Sequence, residues 1–322
     1  MNKALVVVDS DTLIYSAAAV TEKRFIDVLH KPTGIVKSFT NRTEFKQLMK
    51  SKDKEITEDY NITDRQEPED IANCLALIKH SANAILERYQ FEDVIFVAGD
   101  EDNFRLDLQL PTRYKDFRKD TLRPLHLKEA HSYFRHKFKA RKAKFHECDD
   151  EVLLLATEAS KSRQAILLSE DKDSRQAIGV HIGGYSAGYD DLVFVQDMHE
   201  MKLVDSKFKS YGVPWIAYQC TVGDSSDGYK PTKLAGAKYG DSGAYKDFKD
   251  CKNPAEVLEK LKQKYKQWYR EKFYYTAWDG SEHEADWKSM LQLYYSCARM
   301  KRSQDDDLNV EKFFNEYGVQ LC

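Results

Sequence analysis

Three short apolar runs in this chain, residues 5–8, 94–97 and 166–168, each lead into aspartate. Asp9 follows the first, Asp100 the second, and Asp171 with Asp173 the third. Runs of this length, bounded by polar turn residues, suit strands buried on both faces, as in a parallel sheet. Two further acidic groups also stand at predicted turns: Glu147, Asp149 and Asp150 in HECDDEV, and Asp224 with Asp227 in VGDSSDG. Carboxylates gathered at one edge of a sheet repel one another unless cations hold them. Hard divalent ions such as magnesium take oxygen ligands, so the pattern reads first as a metal centre.

The pieces between these runs are consistent with an α/β sheet. An Ala-rich stretch over 11–20 is compatible with a helix. A longer helix is predicted over 69–89, where Ile71, Leu75, Ile78, Ala82 and Leu86 recur near helical period behind Pro68. Residues 50–66 are charged and weakly periodic, which predicts a solvated connection. The segment 101–145 is predicted to begin as a loop and become helical around 127–142. A helix over 152–159 opens at Asp149 or Asp150. Residues 180–182 and 192–196 flank the glycine-rich GGYSAGYDD, a hairpin or sheet-edge signal. Pro214 starts a short helix that delivers Asp224, and from Pro254 the chain is predicted helical, charged and aromatic.

Each acidic group also has a plain structural explanation. Asp9 at the carboxyl end of a strand lies where open α/β sheets bind ligands, but an aspartate there also caps a following helix. Asp100 invites the same two readings. Three acids within four residues at 147–150 exceed what capping needs, because one oxygen suffices at the N-cap, and the dipole gain of ~0.3–1 kcal/mol per exposed acid is opposed by their repulsion. Asp171/Asp173 and Asp224/Asp227 are each explicable as charged loops. Five such groups together favour a carboxylate nest. With no His or Cys at ligand spacing, the nest suits two magnesium or manganese ions acting on a phosphodiester.

Composition narrows the alternatives. The six cysteines form no CxxC pair, which disfavours zinc and a disulfide framework and predicts a reducing, cytoplasmic setting. No apolar run approaches the ~20 residues of a membrane span, so no membrane association is expected. No GxxxxGK[ST] loop is present, which disfavours a nucleoside-triphosphate hydrolase. Net charge is only −3, yet residues 113–144 hold twelve Lys/Arg against three acids. Arg113, Lys115, Arg118, Lys119 and Arg123, then Arg135, Lys137, Lys139, Arg141, Lys142 and Lys144, are interleaved with Tyr114, Phe117, Tyr133, Phe134 and Phe138. Cations that neutralise phosphates beside aromatics that stack on bases suit a single-strand channel; a solvated basic helix with its aromatics in the core is the alternative.

The strings VVVDSDTLIY, VAGDEDNFRLDLQLPTRYKDFRKD, FHECDDEVLLLA, LLSEDKDSRQ and TVGDSSDGYKPTKLAGAKYG occur in that order over residues 5–240. With their ExDD, SxDxD and GDxxDG motifs, they resemble the 5′-nuclease superfamily of flap endonucleases and 5′→3′ exonucleases, nearest to the bacteriophage members of T-odd phages. The resemblance implies a mixed, mainly parallel twisted sheet flanked by helices, a helical arch (about 101–146) and a helix–three-turn–helix DNA-binding element. It implies a nuclease domain over 1–212 and a C-terminal helical region over 213–322. Carried across residue by residue, Asp9, Asp100, Glu147 and Asp149 would hold one magnesium ion. Asp149, Asp171, Asp173 and Asp224 would hold a second, with Asp150 and Asp227 in or near the outer shell and manganese as a substitute. Lys115 and Arg118 would steer the scissile phosphate and stabilise developing charge. Tyr114 would stack on a base, and Arg105, Lys230, Lys233, Gly236 and Lys238 would complete the nucleic-acid contacts.

The chain departs from the family in three places. Ser16 stands where many members carry a basic residue, Cys148 replaces a small residue inside ExDD, and of a Gly-x-x-Gly-x-Gly turn only Gly236 survives. That last change leaves potassium binding open. The implied activity is metal-dependent, structure-specific 5′→3′ cleavage of DNA, extending to RNA–DNA hybrids in primer removal during phage DNA replication. The substrates would be DNA with a free 5′ end, a flap or a hybrid. A replication polymerase or single-strand-binding protein is a candidate partner, the protein is expected to be a monomer, and a phage-encoded copy would act in the host cytoplasm. The alternatives are a non-catalytic branched-DNA binding protein and a PIN-type ribonuclease.

Overall fold

The computed structural model describes residues 3–99 and 103–321, with the side chain of residue 120 left out. In chain order the elements begin β1 (Leu5–Asp9), α1 (Asp11–Val20), β2 (Glu22–His30), β3 (Ile35–Phe39), α2 (Arg42–Ser51), β4 (Tyr60–Pro68), α3 (Ile71–Arg88) and β5 (Asp93–Ala98). They continue α4 (Leu127–Phe138), β6 (Arg141–Lys142), α5 (Cys148–Ser160), β7 (Ala165–Leu168), β8 (His181–Gly183), β9 (Val193–Phe194), β10 (Lys202–Val204) and β11 (Lys207–Lys209). The C-terminal part holds α6 (Val213–Val222), α7 (Asp241–Phe248), α8 (Pro254–Trp268), β12 (Phe273–Thr276), β13 (Glu282–Ala285), α9 (Trp287–Ala298) and α10 (Val310–Glu316).

Six strands form one sheet in the order β6-β5-β1-β7-β8-β9, parallel except for the antiparallel edge pair β8–β9. The fold is thus mixed α/β with a mainly parallel sheet flanked by helices. The apolar runs explain its centre. Leu5 and Val7 join the core cluster that includes Val152, Leu153 and Ala156 of α5, while Val6 and Val8, which alternation turns to the other face, are also fully buried. Because the strands run parallel, residues after β1 and β7 emerge at the same edge. That edge receives Asp9 and the Asp171–Asp173 turn. Asp100 lies outside the described residues.

The chain divides into two compact units. One unit holds residues up to Thr12, Ile85–Thr121 and Phe138 onward; the other holds Leu13–Ala84 and Leu122–Lys137. In the second unit the structure corrects the reading of 50–66 as a solvated connection. Its latter part is β4, which pairs antiparallel with β2 in a three-stranded sheet ordered β3-β2-β4. The hydrophobic pattern hid this because few apolar residues mark it: Ile26, Val28, Phe45 and Met49 form a small core. Polar pairs do the rest, with Arg65 2.8 Å from Asp27 and Arg42 2.5 Å from Asp64.

Two more corrections concern residues 127–142 and the region after Pro254. The helix around 127–142 stops at Phe138, and Arg141–Lys142 pair with β5. The region after Pro254 is interrupted by an antiparallel hairpin, β12–β13, whose cross-strand partners include Tyr275 and His283. Its alternating Phe273-Tyr274-Tyr275 run is short enough to be read as part of the aromatic helices on either side. Among the described residues, no helix is long and apolar enough to cross a membrane.

Candidate metal centre

Four elements of the first unit deliver acids to the site. Asp9 ends β1. The Asp171–Asp173 turn follows β7, with the Asp171 side chain accepting from the Asp173 amide at 2.9 Å. Glu147 is the N-cap of α5 and Asp149 sits in its first turn. Asp224 and Asp227 follow α6, whose end at Gly223 needs a left-handed φ of 81°. A Cβ at Gly223 would lie 2.4 Å from the Tyr229 carbonyl oxygen, so this turn excludes larger residues. Buried Asp173, Asp224 and Asp227 each offer an oxygen within 4.8 Å of the others, an all-carboxylate set with the chemistry of a hard-cation site.

The electrostatics oppose ionisation of most of these acids, which an added positive charge would offset. Burial and the neighbouring Asp11 push Asp9 up to about 6, even though Ser169 Oγ donates to it at 2.9 Å. Asp149, partly accessible but largely stripped of water, is raised well above the usual carboxylate range by desolvation and by Asp9, Asp171 and Asp173. Asp173 is raised likewise by burial and by Asp171, Asp227 and Asp224, while Gln219 donates to one of its oxygens. Asp227 is raised by burial, with Lys115 offsetting part of it. Asp224 is the exception: burial opposes its charge, but Lys172 at 2.7 Å and Ser226 hold it below the ordinary value.

A carboxyl group raised in the fold stabilises it fully below the unfolded pKa, and that contribution is lost as pH climbs through the folded value. For Asp9 the window runs from 3.8 to about 6. Magnesium should therefore raise the melting temperature more at pH 7.5 than at pH 5, where protons already relieve the repulsion. Thermal unfolding at the two pH values checks this, and an equal shift at both would contradict it.

Besides Lys172, cations near the site come from two further segments. Lys115 Nζ contacts Glu147 Oε1 and lies 3.3 Å from Asp227 Oδ1. Burial works against its charge, but Glu147 and Asp227 outweigh that and raise its pKa. Its backbone is left-handed, with φ 55°, and its amide donates to the Asp227 carbonyl at 2.8 Å. Arg118 reaches Asp227 Oδ1 at 3.2 Å and the Ser226 carbonyl at 3.1 Å while staying half exposed. Lys230, Lys233, Gly236 and Lys238 are all exposed in the turn-rich segment between α6 and α7. Gly236 has φ 62° with open space around it, and Lys233 Nζ donates to Thr112 Oγ1.

Three sequence assignments change. Arg105 is fully buried and grips Asp150 with both terminal nitrogens, at 2.5 and 3.0 Å, so it offers nothing to a phosphate. Asp150 is correspondingly committed: it also accepts from the Glu147 amide at 3.2 Å and the Lys301 amide at 3.0 Å. Burial would raise it, but Arg105 holds it below the usual range, leaving a structural anchor in place of a metal ligand. Tyr114 is 1% exposed and cannot stack on a base. Its hydroxyl donates toward Glu147 Oε2 (3.0 Å) and Asp227 Oδ2 (2.9 Å), and burial with those acids keeps the phenol protonated.

Sequence reading also missed contributors. Ser169, Lys172 and Gln219 lack any signal of their own. Asp11 had one, two residues after Asp9: its Oδ1 accepts from the Gly99 amide at 2.8 Å, and its charge acts on Asp9. Cys148, the departure inside ExDD, donates from Sγ to Asp9 Oδ1 at 3.3 Å. No model of a known protein family matches this chain, and no curated protein matches it.

Proposed function

We propose that this protein is a metal-dependent, structure-specific 5′→3′ nuclease acting on DNA. The observation that carries the reading is the buried carboxylate set itself. Asp9, Asp149, Asp173 and Asp227 are held where burial and mutual repulsion oppose their ionisation, at the carboxyl edge of the sheet and beside Lys115, Arg118 and Lys172. A fold released from catalysis gains nothing by keeping such acids together.

Asp9, Glu147, Asp149, Asp171, Asp173, Asp224 and Asp227 would hold two magnesium ions, with manganese as a substitute. When bound, such ions supply an activated water and neutralise charge on the attacked and departing oxygens of a phosphodiester. The protein's own groups do the positioning. Tyr114 ties Glu147 to Asp227, linking acids from α5 and from the turn after α6. Lys115 and Arg118 place two positive charges on the same Asp227, where a scissile phosphate would meet them. The exposed lysines between α6 and α7 are suited to the backbone of the duplex, whose recognition is largely ionic.

Lys115→Ala tests the assignment of roles. It should slow single-turnover cleavage of a 5′-labelled duplex by roughly 100-fold, the scale of losing one donor aimed at developing charge, while changing affinity much less. An unchanged single-turnover rate would remove Lys115 from the chemistry.

A further inference from the structure

Arg105, Arg113, Lys115 and Arg118 are the basic residues of the segment leading to the site. Three of them face a carboxylate: Arg105 has Asp150, and Lys115 and Arg118 have Asp227. Arg113 has an aromatic ring. Its guanidinium carbon lies 4.5 Å from the centre of the Trp278 ring, and its buried Nε has no hydrogen-bond partner. Among the described residues Arg113 forms no ion pair, although it is half-buried and two positions from Lys115.

Trp278 stands at the turn of the β12–β13 hairpin and is itself fixed. Its indole Nε1 donates to the Leu108 carbonyl at 3.0 Å and its amide to the Leu110 carbonyl at 2.9 Å. Tyr275 adds a hydroxyl donor to the Gln109 carbonyl at 2.8 Å. The hairpin thus clamps residues 108–110 on one side. On the other, the Lys115 amide and Lys233 Nζ tie residues 112–115 to the turn after α6. A guanidinium held over an indole gives up rotamer freedom and keeps its terminal N–H donors, not the buried Nε, for a planar or tetrahedral anion. An unpaired, partly desolvated cation in a braced segment has the chemistry of a bidentate phosphate contact.

We propose that Arg113, presented by Trp278 of the C-terminal hairpin, binds a backbone phosphate of the nucleic acid. The proposal rests on the nuclease reading and gives the hairpin a task in substrate binding. It also replaces Arg105, which is buried, as the arginine of this segment that meets the strand. Lys233, one residue away at Thr112, extends the same cationic track.

The test is the salt dependence of binding to a fluorescent duplex with a single-stranded 5′ extension, measured in calcium. Arg113→Ala should weaken binding roughly tenfold at low salt and flatten the slope of log affinity against log salt by about one, with an unchanged melting temperature. Trp278→Phe should keep most of the affinity. Trp278→Leu should match Arg113→Ala and add nothing to it in the double variant. Wild-type slope and affinity in Arg113→Ala would overturn the proposal while leaving the nuclease reading standing. A wild-type protein that binds no nucleic acid would overturn both.

Discussion

Asp149→Asn should lower magnesium-dependent cleavage by on the order of 1000-fold, the scale expected when a metal's charge stabilisation is lost, and should make the metal-free protein more stable. The two effects have one origin. Asp149 is desolvated and faces Asp9, Asp171 and Asp173, so its ionised form is disfavoured in the fold. An amide of the same shape removes that repulsion, and a gain of 1 kcal/mol would lift the melting temperature by about 2 °C in a chain of this size. It also removes the oxygen charge that a divalent ion needs. Cleavage assays and thermal unfolding in EDTA read the two halves separately. Full activity would remove Asp149 from the metal set, and a lower melting temperature in EDTA would show that the nest is not strained.

Arg105→Ala should destabilise the protein by roughly 3–5 kcal/mol, the range for breaking a buried ion pair by removing one partner. Arg105 and Asp150 are both fully buried, and the same guanidinium donates to the Cys297 carbonyl at 3.1 Å and the Arg299 carbonyl at 2.8 Å. Alanine would leave a buried carboxylate and two carbonyls unsatisfied. Since Asp150 caps the first turn of α5 through the Glu147 amide, the damage would spread to the acids beside it. Replacing both partners, as Arg105→Met with Asp150→Leu, should recover much of the loss because no lone charge remains. Denaturant unfolding measures this. A loss below about 1 kcal/mol in the single variant would contradict the anchoring role. So would a double variant no better than the single.

The pair also shows how far sequence reading carries. The central strands were legible because residues 5–8, 94–97 and 166–168 are continuously apolar, as strands covered on both faces are. The carboxyl-edge placement of Asp9 and the Asp171–Asp173 turn followed from that pattern. The sheet β3-β2-β4 was not legible, because its core has only four buried apolar residues and polar pairs such as Asp27 with Arg65 mark its strands. Orientation was equally hidden. Asp149 and Asp150 are adjacent in sequence, yet the first faces Asp9 and the second is gripped by Arg105; one step along a helix turns a side chain by about 100°. The same limit applies to Tyr114 and Lys115, one buried beneath the acids and the other reaching over them. The hairpin that holds Arg113 lies more than 160 positions along the chain from it, a separation no local pattern spans.

The most direct measurement of the central claim is cleavage of 5′-labelled duplex, flap and RNA–DNA hybrid substrates by the purified protein, in magnesium and in EDTA. Release of short products from the 5′ end in magnesium, abolished by EDTA and by Asp149→Asn, is the expected result. Tight binding to branched DNA with no cleavage in magnesium or manganese would contradict the account and identify a binding protein. Cleavage confined to free RNA would contradict it in favour of a ribonuclease.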